Sequence, residues 1–293
     1  AARPRLVGLA YRLLGSMSDA QDAVQDTYVK WATYKGEVDV PPAWLSRVCT
    51  NRCLDQLKSA YRNRVDYVGQ WIPEQIQTEF EASAEEQLEM ASSLTTAFLL
   101  LLERLTPKER AAYLLHDVFS MPFDEIAIIL EMQTANCRKL ATRAREYVVK
   151  NNVRHVPEKQ RQEDLLKAFQ GAIQTGDTSE LGEMLRVDSD LRADSGGKVQ
   201  AILKVLEGQD IICKFIGNVL SGAWSSMPMT QIMINGTLGL LIKDEDHIHA
   251  AISFGYDVNG QVGQIYIMRH PEKLARLSQS KGVVTGFGRL ILH

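Results

Sequence analysis

From Leu105 onward the apolar positions recur at helical spacing in three short runs. Ala111, Leu114, Leu115 and Val118 form the first, Phe123, Ile126, Ala127 and Leu130 the second, and Cys137, Leu140, Ala141, Ala144 and Val148 the third. Thr106 and Glu109 have the spacing of a capping box, with Pro107 at the first helical position. Glu131-Met132-Gln133 leaves room only for a turn, although a glycine would make that turn more easily. The polar side of the third run carries Asn136, Arg138, Lys139, Arg143 and Arg145. The pattern predicts a helix, a short helix, a tight turn and a basic helix. A DNA-reading helix-turn-helix has this form, with one face packed and the other offering Arg and Asn to base edges and Lys and Arg to phosphates. A plain basic helix on a helical domain fits the same pattern.

The chain before this stretch is also helical. Leu6, Leu9, Ala10, Leu13 and Leu14 mark a first helix ended by Gly15. Ser18 is the expected cap of a second, Asp19 to Tyr34, whose inner face is Ala20, Ala23, Val24, Thr27, Tyr28 and Trp31. Pro41 and Pro42 start a third. Between Ala43 and Arg64 five basic residues face one acidic residue, and Trp44, Tyr61 and Tyr67 flank them. Aromatics interleaved with cations suit single-stranded nucleic acid; a solvated helix end is the competing reading. From Asp66 to Glu89 the sign reverses, with seven acidic residues and no basic one, and Val68 to Glu74 breaks the helical period. An interdomain linker is expected there, anchored by Trp71 and Ile72. A helix from Ser83 to Arg104 then leads into the helical runs that begin at Leu105.

Beyond Pro157 the texture changes. Helices are expected over Asp164–Gln174 and Glu180–Leu185, a strand over Val187–Ala193, a helix over Val199–Gln209 and a strand-like run over Ile211–Leu220. Met229–Ile234, Thr237–Lys243, His247–Tyr256 and Val262–Met268 alternate as strands between turns. Helices followed by a mostly antiparallel curved sheet make an α+β domain, and its concave face is expected to form an apolar pocket open to a small ligand.

Composition narrows the function classes. The 293 residues suffice for two domains or more, and a formal net charge of -3 confines any nucleic-acid binding to local basic patches. Cys49, Cys53, Cys137 and Cys213 are too sparse for a disulfide framework or a structural zinc site, so buried thiols are expected. His247 and His249 share a strand face but lack a clear acidic third ligand. No metal, no cofactor, no signal peptide and no membrane span are expected, and a cytoplasmic location follows. The stretch Asp194-Ser195-Gly196-Gly197-Lys198 lacks phosphate-loop spacing and reads as a strained loop docked on a neighbour.

The segments Gly15 to Trp31, Trp44 to Arg64 and Leu105 to Arg145 resemble the two conserved regions of extracytoplasmic-function (ECF, group 4) RNA polymerase sigma factors. Trp71-Ile72-Pro73-Glu74 resembles the Trp-Leu-Pro-Glu linker motif of the ECF41 subgroup. Asp194 to Lys198 resembles its Asp-Gly-Gly-Gly-Lys motif, and His270-Pro271-Glu272-Lys273-Leu274 its Asn-Pro-Asp-Lys-Leu motif. Ser195, His270, Glu272, Glu131 and Gln133 depart from the expected pattern.

The resemblance implies a multidomain chain of two all-α sigma modules and an α+β SnoaL-like, nuclear-transport-factor-2-like domain. Its expected divisions are a region 2 bundle at 1–68, a linker at 69–83, a region 4 helix-turn-helix at 84–151, the regulatory domain at 159–277 and a tail at 278–293. It places Asp22, Val24, Gln25, Asp26 and Trp31 toward core RNA polymerase. Asn51, Asp55, Lys58, Arg62 and Arg64 fall toward the minus-10 promoter DNA, and Ala135, Asn136, Arg138, Lys139 and Arg143 in the minus-35 major groove. The three short motifs are implied to join the C-terminal domain to the sigma modules within one chain and regulate them in cis. The function expected is promoter recognition and initiation without covalent chemistry. Three rivals stand beside it: a ligand-sensing helix-turn-helix regulator that works without polymerase, a DNA-binding protein fused to a SnoaL-like enzyme, and a sigma-like structural relic.

Overall fold

A computed structural model describes residues 2–65, 67–78, 91–151, 155–245 and 247–279, with the side chains of 59–65 and 278–279 outside that set. The described residues divide into two compact units, those within 1–66 and 99–151 and those within 67–98 and 152–283. The architecture is an all-α N-terminal part and a separate mixed α/β C-terminal domain built on a six-stranded open sheet.

The first unit holds α1 (Arg3–Leu14), α2 (Met17–Thr33) and α3 (Pro41–Val65). Gly15 ends α1 with φ 69°, a left-handed cap that glycine adopts without steric cost. The cap of α2 is Ser16, whose side chain accepts from the Asp19 amide at 3.3 Å. The expected Ser18 lies inside the helix, one turn-forming hydroxyl too late. Leu6, Leu13, Val24, Cys49, Cys53 and Leu57 close the core of these helices, and both thiols are free.

Next come α4 (Thr96–Leu102), which passes from the second unit into the first at Phe98–Leu99, and, within the first unit, α5 (Pro107–Tyr113), α6 (Phe123–Leu130) and α7 (Thr134–Asn151). The helix expected from Ser83 to Arg104 is interrupted: residues 83–90 lie outside the described set, 93–94 form a turn and 95 is not helical. Thr95 accepts from the Phe98 amide at 3.2 Å, so a short polar side chain has taken the backbone donor that a continuous helix would need. The Thr106–Glu109 capping box is present in both directions. After Tyr113 the backbone widens into a π-helical turn, Leu114–Val118. Arg110, 3% exposed, donates to the Leu13 carbonyl at 2.5 Å and to Glu103 at 2.7 Å; burial pushes its pKa down to about 9.

The second unit begins with α8 (Lys159–Thr175) and α9 (Ser179–Met184), then β1 (Leu185–Asp194) and the short β2 (Leu206–Glu207). Next come α10 (Gln209–Phe215), a second π-helical turn (Ile216–Leu220) and α11 (Ser221–Trp224). The strands β3 (Met229–Ile234), β4 (Thr237–Lys243), β5 (Ile248–Tyr256) and β6 (Val262–Met268) precede α12 (Pro271–Gln279). Strand order is β2-β1-β6-β5-β4-β3. β1 runs parallel to β6, and every other pairing is antiparallel.

Here the local pattern misled at one place. The helix expected over Val199–Gln209 is irregular chain and β2, and the strand expected over Ile211–Leu220 is helical. Ile212, Ile216 and Leu220 are buried four residues apart, a helical stripe, whereas Ile211 and Val219 are exposed. Tertiary packing at that period overrides the strand preference of β-branched residues.

The sheet is buried on both faces, which is why β4, β5 and β6 read as nearly continuous apolar runs. On one face Ile252 and Phe254 share a buried core with Leu165, Leu166 and Phe169 of α8. The alternate residues of β5 point the other way. There Ser253 bonds Gln75 at 2.8 Å and Thr96 at 3.0 Å. The chain that leaves α3 is thus a strap across the second face of the C-terminal sheet. Ile76 and Asn235 exchange bonds of 2.8 and 3.0 Å, and Thr78 bonds Met233 and Gly236 at 3.1 and 2.9 Å.

Candidate nucleic-acid interface

On α2, Asp22, Gln25 and Asp26 are exposed and Trp31 is half-buried. Val24, which the resemblance groups with them toward polymerase, is fully buried on the inner face expected from its spacing, with Ala20, Ala23 and Thr27. Trp31 meets the Trp44 ring edge-on at 5.2 Å, and Tyr34 packs on Trp44 at the same distance. Beside this aromatic cluster lies an open cavity of about 430 Å³, lined by Asp26, Lys30, Trp44, Arg47, Asn51 and Arg52 among others. Asp55 and Glu131 also border it. Arg52 pairs with Asp26 at 2.8 Å and Lys58 with Asp55 at 2.9 Å. All four are exposed, so each pair contributes about 0–1 kcal/mol and is easily exchanged for a phosphate. Arg62 and Arg64 lie further along α3, and their side chains are outside the described residues. Lys30, Tyr34 and Arg47 complete the cavity. Sequence reasoning did not single out Lys30 or Tyr34; the aromatic-basic interleaving around Trp44 is the signal that reaches them.

α7 presents a second cationic surface. Ala135, Asn136, Arg138, Lys139 and Arg143 are all exposed, while Cys137, Ala141, Ala144 and Val148 are buried. Arg145 is drawn back onto its own unit by Asp117 at 2.6 Å, which raises its pKa. The turn before α7 is made by Glu131 at φ 52°, a left-handed conformation that costs a non-glycine residue roughly 1 kcal/mol. Glu131 also pairs loosely with Arg47 at 3.9 Å.

The three short motifs meet at one carboxylate. Asp194, at the end of β1, is 0% exposed. Its Oδ1 accepts from the Tyr67 hydroxyl at 2.5 Å and the Gly196 amide at 3.1 Å. Its Oδ2 accepts from the Ile72 amide at 2.9 Å and the Lys273 ammonium at 2.7 Å. Lys273 also donates to the Ile72 carbonyl at 2.7 Å and sits 4.9 Å from the Trp71 ring centroid. Four donors satisfy the carboxylate, and the buried ammonium is held by an anion, a carbonyl and an aromatic face. Burial, then the bond to Asp194, raises the Tyr67 pKa far above its ordinary value. Glu74, buried beside the strap, pairs with Arg276, and Lys198 pairs with Glu272 at the surface.

The loop geometry explains the departures from the expected motif. Gly196 and Gly197 have φ 58° and 71°, whereas Ser195 has no positive φ and accepts from the Gly197 amide at 3.3 Å. A Cβ on Gly196 would stand 2.4 Å from the His270 ring. His270 therefore closes over the loop; His270 and Leu274 are buried, and Pro271 is half-buried at the start of α12. Pro73 is buried along the strap. Burial, assisted by Lys273, lowers the His270 pKa.

Comparison with known proteins follows this division of the chain. Family models for Sigma-70 region 2 and Sigma-70 region 4 match residues 1–63 and 95–148. The chain is 32% identical to the ECF RNA polymerase sigma factor SigJ of Mycobacterium tuberculosis, over 99% of this chain and 96% of that protein. The probable ECF RNA polymerase sigma factor SigI of the same species is 31% identical over 63% of this chain and 64% of its own. The crystal structure of M. tuberculosis SigJ superposes with a TM-score of 0.70 at 28% identity, covering 94% of this chain and 96% of that chain.

Proposed function

The chain belongs to the ECF RNA polymerase sigma factors, and from that premise we propose how its parts divide the work and how the C-terminal domain controls them. The exposed acidic face of α2, with Asp22, Gln25, Asp26 and Trp31, docks on core polymerase. The cavity between α2 and α3 receives an unstacked base of the minus-10 element. A base-sized planar group there finds aromatic edges in Trp44 and Tyr34, an amide in Asn51 and cations in Lys30, Arg47 and Arg52. Stacking offsets part of the cost of opening the duplex. α6 and α7 act as a helix-turn-helix, with Asn136 and Arg138 near the base edges of the minus-35 element and Lys139 and Arg143 on phosphates.

The mixed α/β domain, read as SnoaL-like, serves as a regulator in cis. The observation that carries this reading is the Asp194 hub. The segment between the two DNA readers is hydrogen-bonded into the C-terminal domain through its own backbone, at Ile72 and Ile76. Two promoter elements can be engaged together only if the linker permits their spacing. A domain that binds one linker arrangement in preference to others therefore biases the equilibrium between resting and promoter-competent forms. The docked strap is the resting arrangement.

Transcription in vitro with purified core polymerase tests the reading. Initiation is expected only when the chain and the core are combined on duplex promoter DNA. Tight duplex binding by the chain alone, with no initiation when core is added, would overturn it in favour of a polymerase-independent regulator.

A further inference from the structure

The basic residues of α7 are not equivalent. Lys139 and Arg143 are exposed, and Arg145 is turned away by Asp117. Arg138, near the N-terminal end of the helix, lies with its guanidinium 5.8 Å from the centroid of Phe123. Among the described residues it is the one cation of α7 placed over an aromatic ring. Phe123 is in turn fixed. Its other partner is His116, stacked at 3.8 Å with planes 28° apart. The His116 ring is held by its Nδ1, which donates to the Met121 carbonyl at 3.0 Å. His116 reaches this position from the π-helical turn Leu114–Val118, where the wider backbone alters the register in which side chains leave the helix.

We infer that Phe123, backed by His116, is a positioning residue that sets the specificity of Arg138 for one base pair of the minus-35 element. An exposed arginine loses much rotamer freedom when it forms a bidentate bond to a guanine edge, and a guanidinium already stacked loses less. Stacking also fixes the plane of the fork, and bidentate recognition depends on that plane. Phe123 touches no DNA in this account; it acts through Arg138. The inference rests on α7 being the helix that enters the major groove.

The experiment uses the full chain with core polymerase and a promoter library randomised over the minus-35 element, for the parent, Phe123→Leu, Phe123→Tyr, Arg138→Ala and the Phe123→Leu/Arg138→Ala double variant. Arg138→Ala is expected to relax preference at one base pair. Phe123→Leu is expected to relax the same base pair by roughly fivefold, the order of a surface cation–π contact. Phe123→Tyr keeps the preference, and Phe123→Leu adds less than about twofold once Arg138 is gone. Two results would overturn the positioning role while leaving the groove assignment intact: an unchanged profile in Phe123→Leu beside a relaxed one in Arg138→Ala, or an equal loss at every position with a lower melting temperature. If Arg138→Ala relaxes no position, the assignment of Arg138 to a base edge falls, and the role of Phe123 falls with it.

Discussion

Two residues carry charge or strain that the fold must compensate. Glu131 makes the α6–α7 turn with φ 52°, and its pair with Arg47 is long and exposed. Relief of left-handed strain is worth about 1 kcal/mol, and the exposed pair about 0–1 kcal/mol. Glu131→Gly should therefore raise stability by up to about 1 kcal/mol in thermal unfolding. A loss of that size would mean the Arg47 contact matters more than its geometry suggests. His270 is the second case. Its folded pKa lies below the ordinary value because burial and Lys273 disfavour the imidazolium. Folding then favours the neutral ring. Its contribution is complete above the unfolded pKa of about 6.5 and is lost as pH falls below that toward the depressed folded value. His270→Asn should remove this part of the acid destabilisation. Chemical denaturation at pH 7 and pH 5 measures it, and equal pH dependence in parent and variant would contradict it.

At the scale of elements, short-range chemistry was readable and long-range chemistry was not. The capping box at Thr106, the αL stop at Gly15 and the inward stripe of α7 follow from spacing alone. The run 211–220 did not, because its β-branched residues suit a strand and only the α8 and β1 surroundings choose the helical stripe. That choice has a measurable signature. Ile216→Ala should cost about 2–5 kcal/mol, as in a packed core, whereas Val219→Ala should change stability by less than about 0.5 kcal/mol. Equal costs would be inconsistent with the helical register. The hub was legible only as three motifs. That Tyr67, Ile72 and Lys273 share one carboxylate depends on contacts 79 to 127 residues apart, which no local pattern encodes. The His116–Phe123–Arg138 stack escaped for a related reason: a π-helical turn leaves no periodic mark in the sequence.

At the scale of the whole molecule, the control proposed for the C-terminal domain acts through the linker. The described residues within 67–98 cluster with the C-terminal domain, although all but the last four positions of that span lie in sequence between the two sigma regions. Breaking a buried ion pair by removing one partner costs about 3–5 kcal/mol. Loss of charge at Asp194 leaves the Lys273 ammonium with the Ile72 carbonyl and two ring faces. That penalty falls on the docked strap, and a shift of a few kcal/mol is enough to move a two-state equilibrium by one or more orders of magnitude. The most direct test is core-dependent transcription in vitro with Asp194→Asn and, separately, Lys273→Met, on the parent's own selected promoter. Both variants should raise initiation at least several-fold with the ranking of promoter sequences unchanged. Initiation equal to the parent in both, with the Ile72 amide shown by hydrogen exchange to be released, would contradict control through the linker.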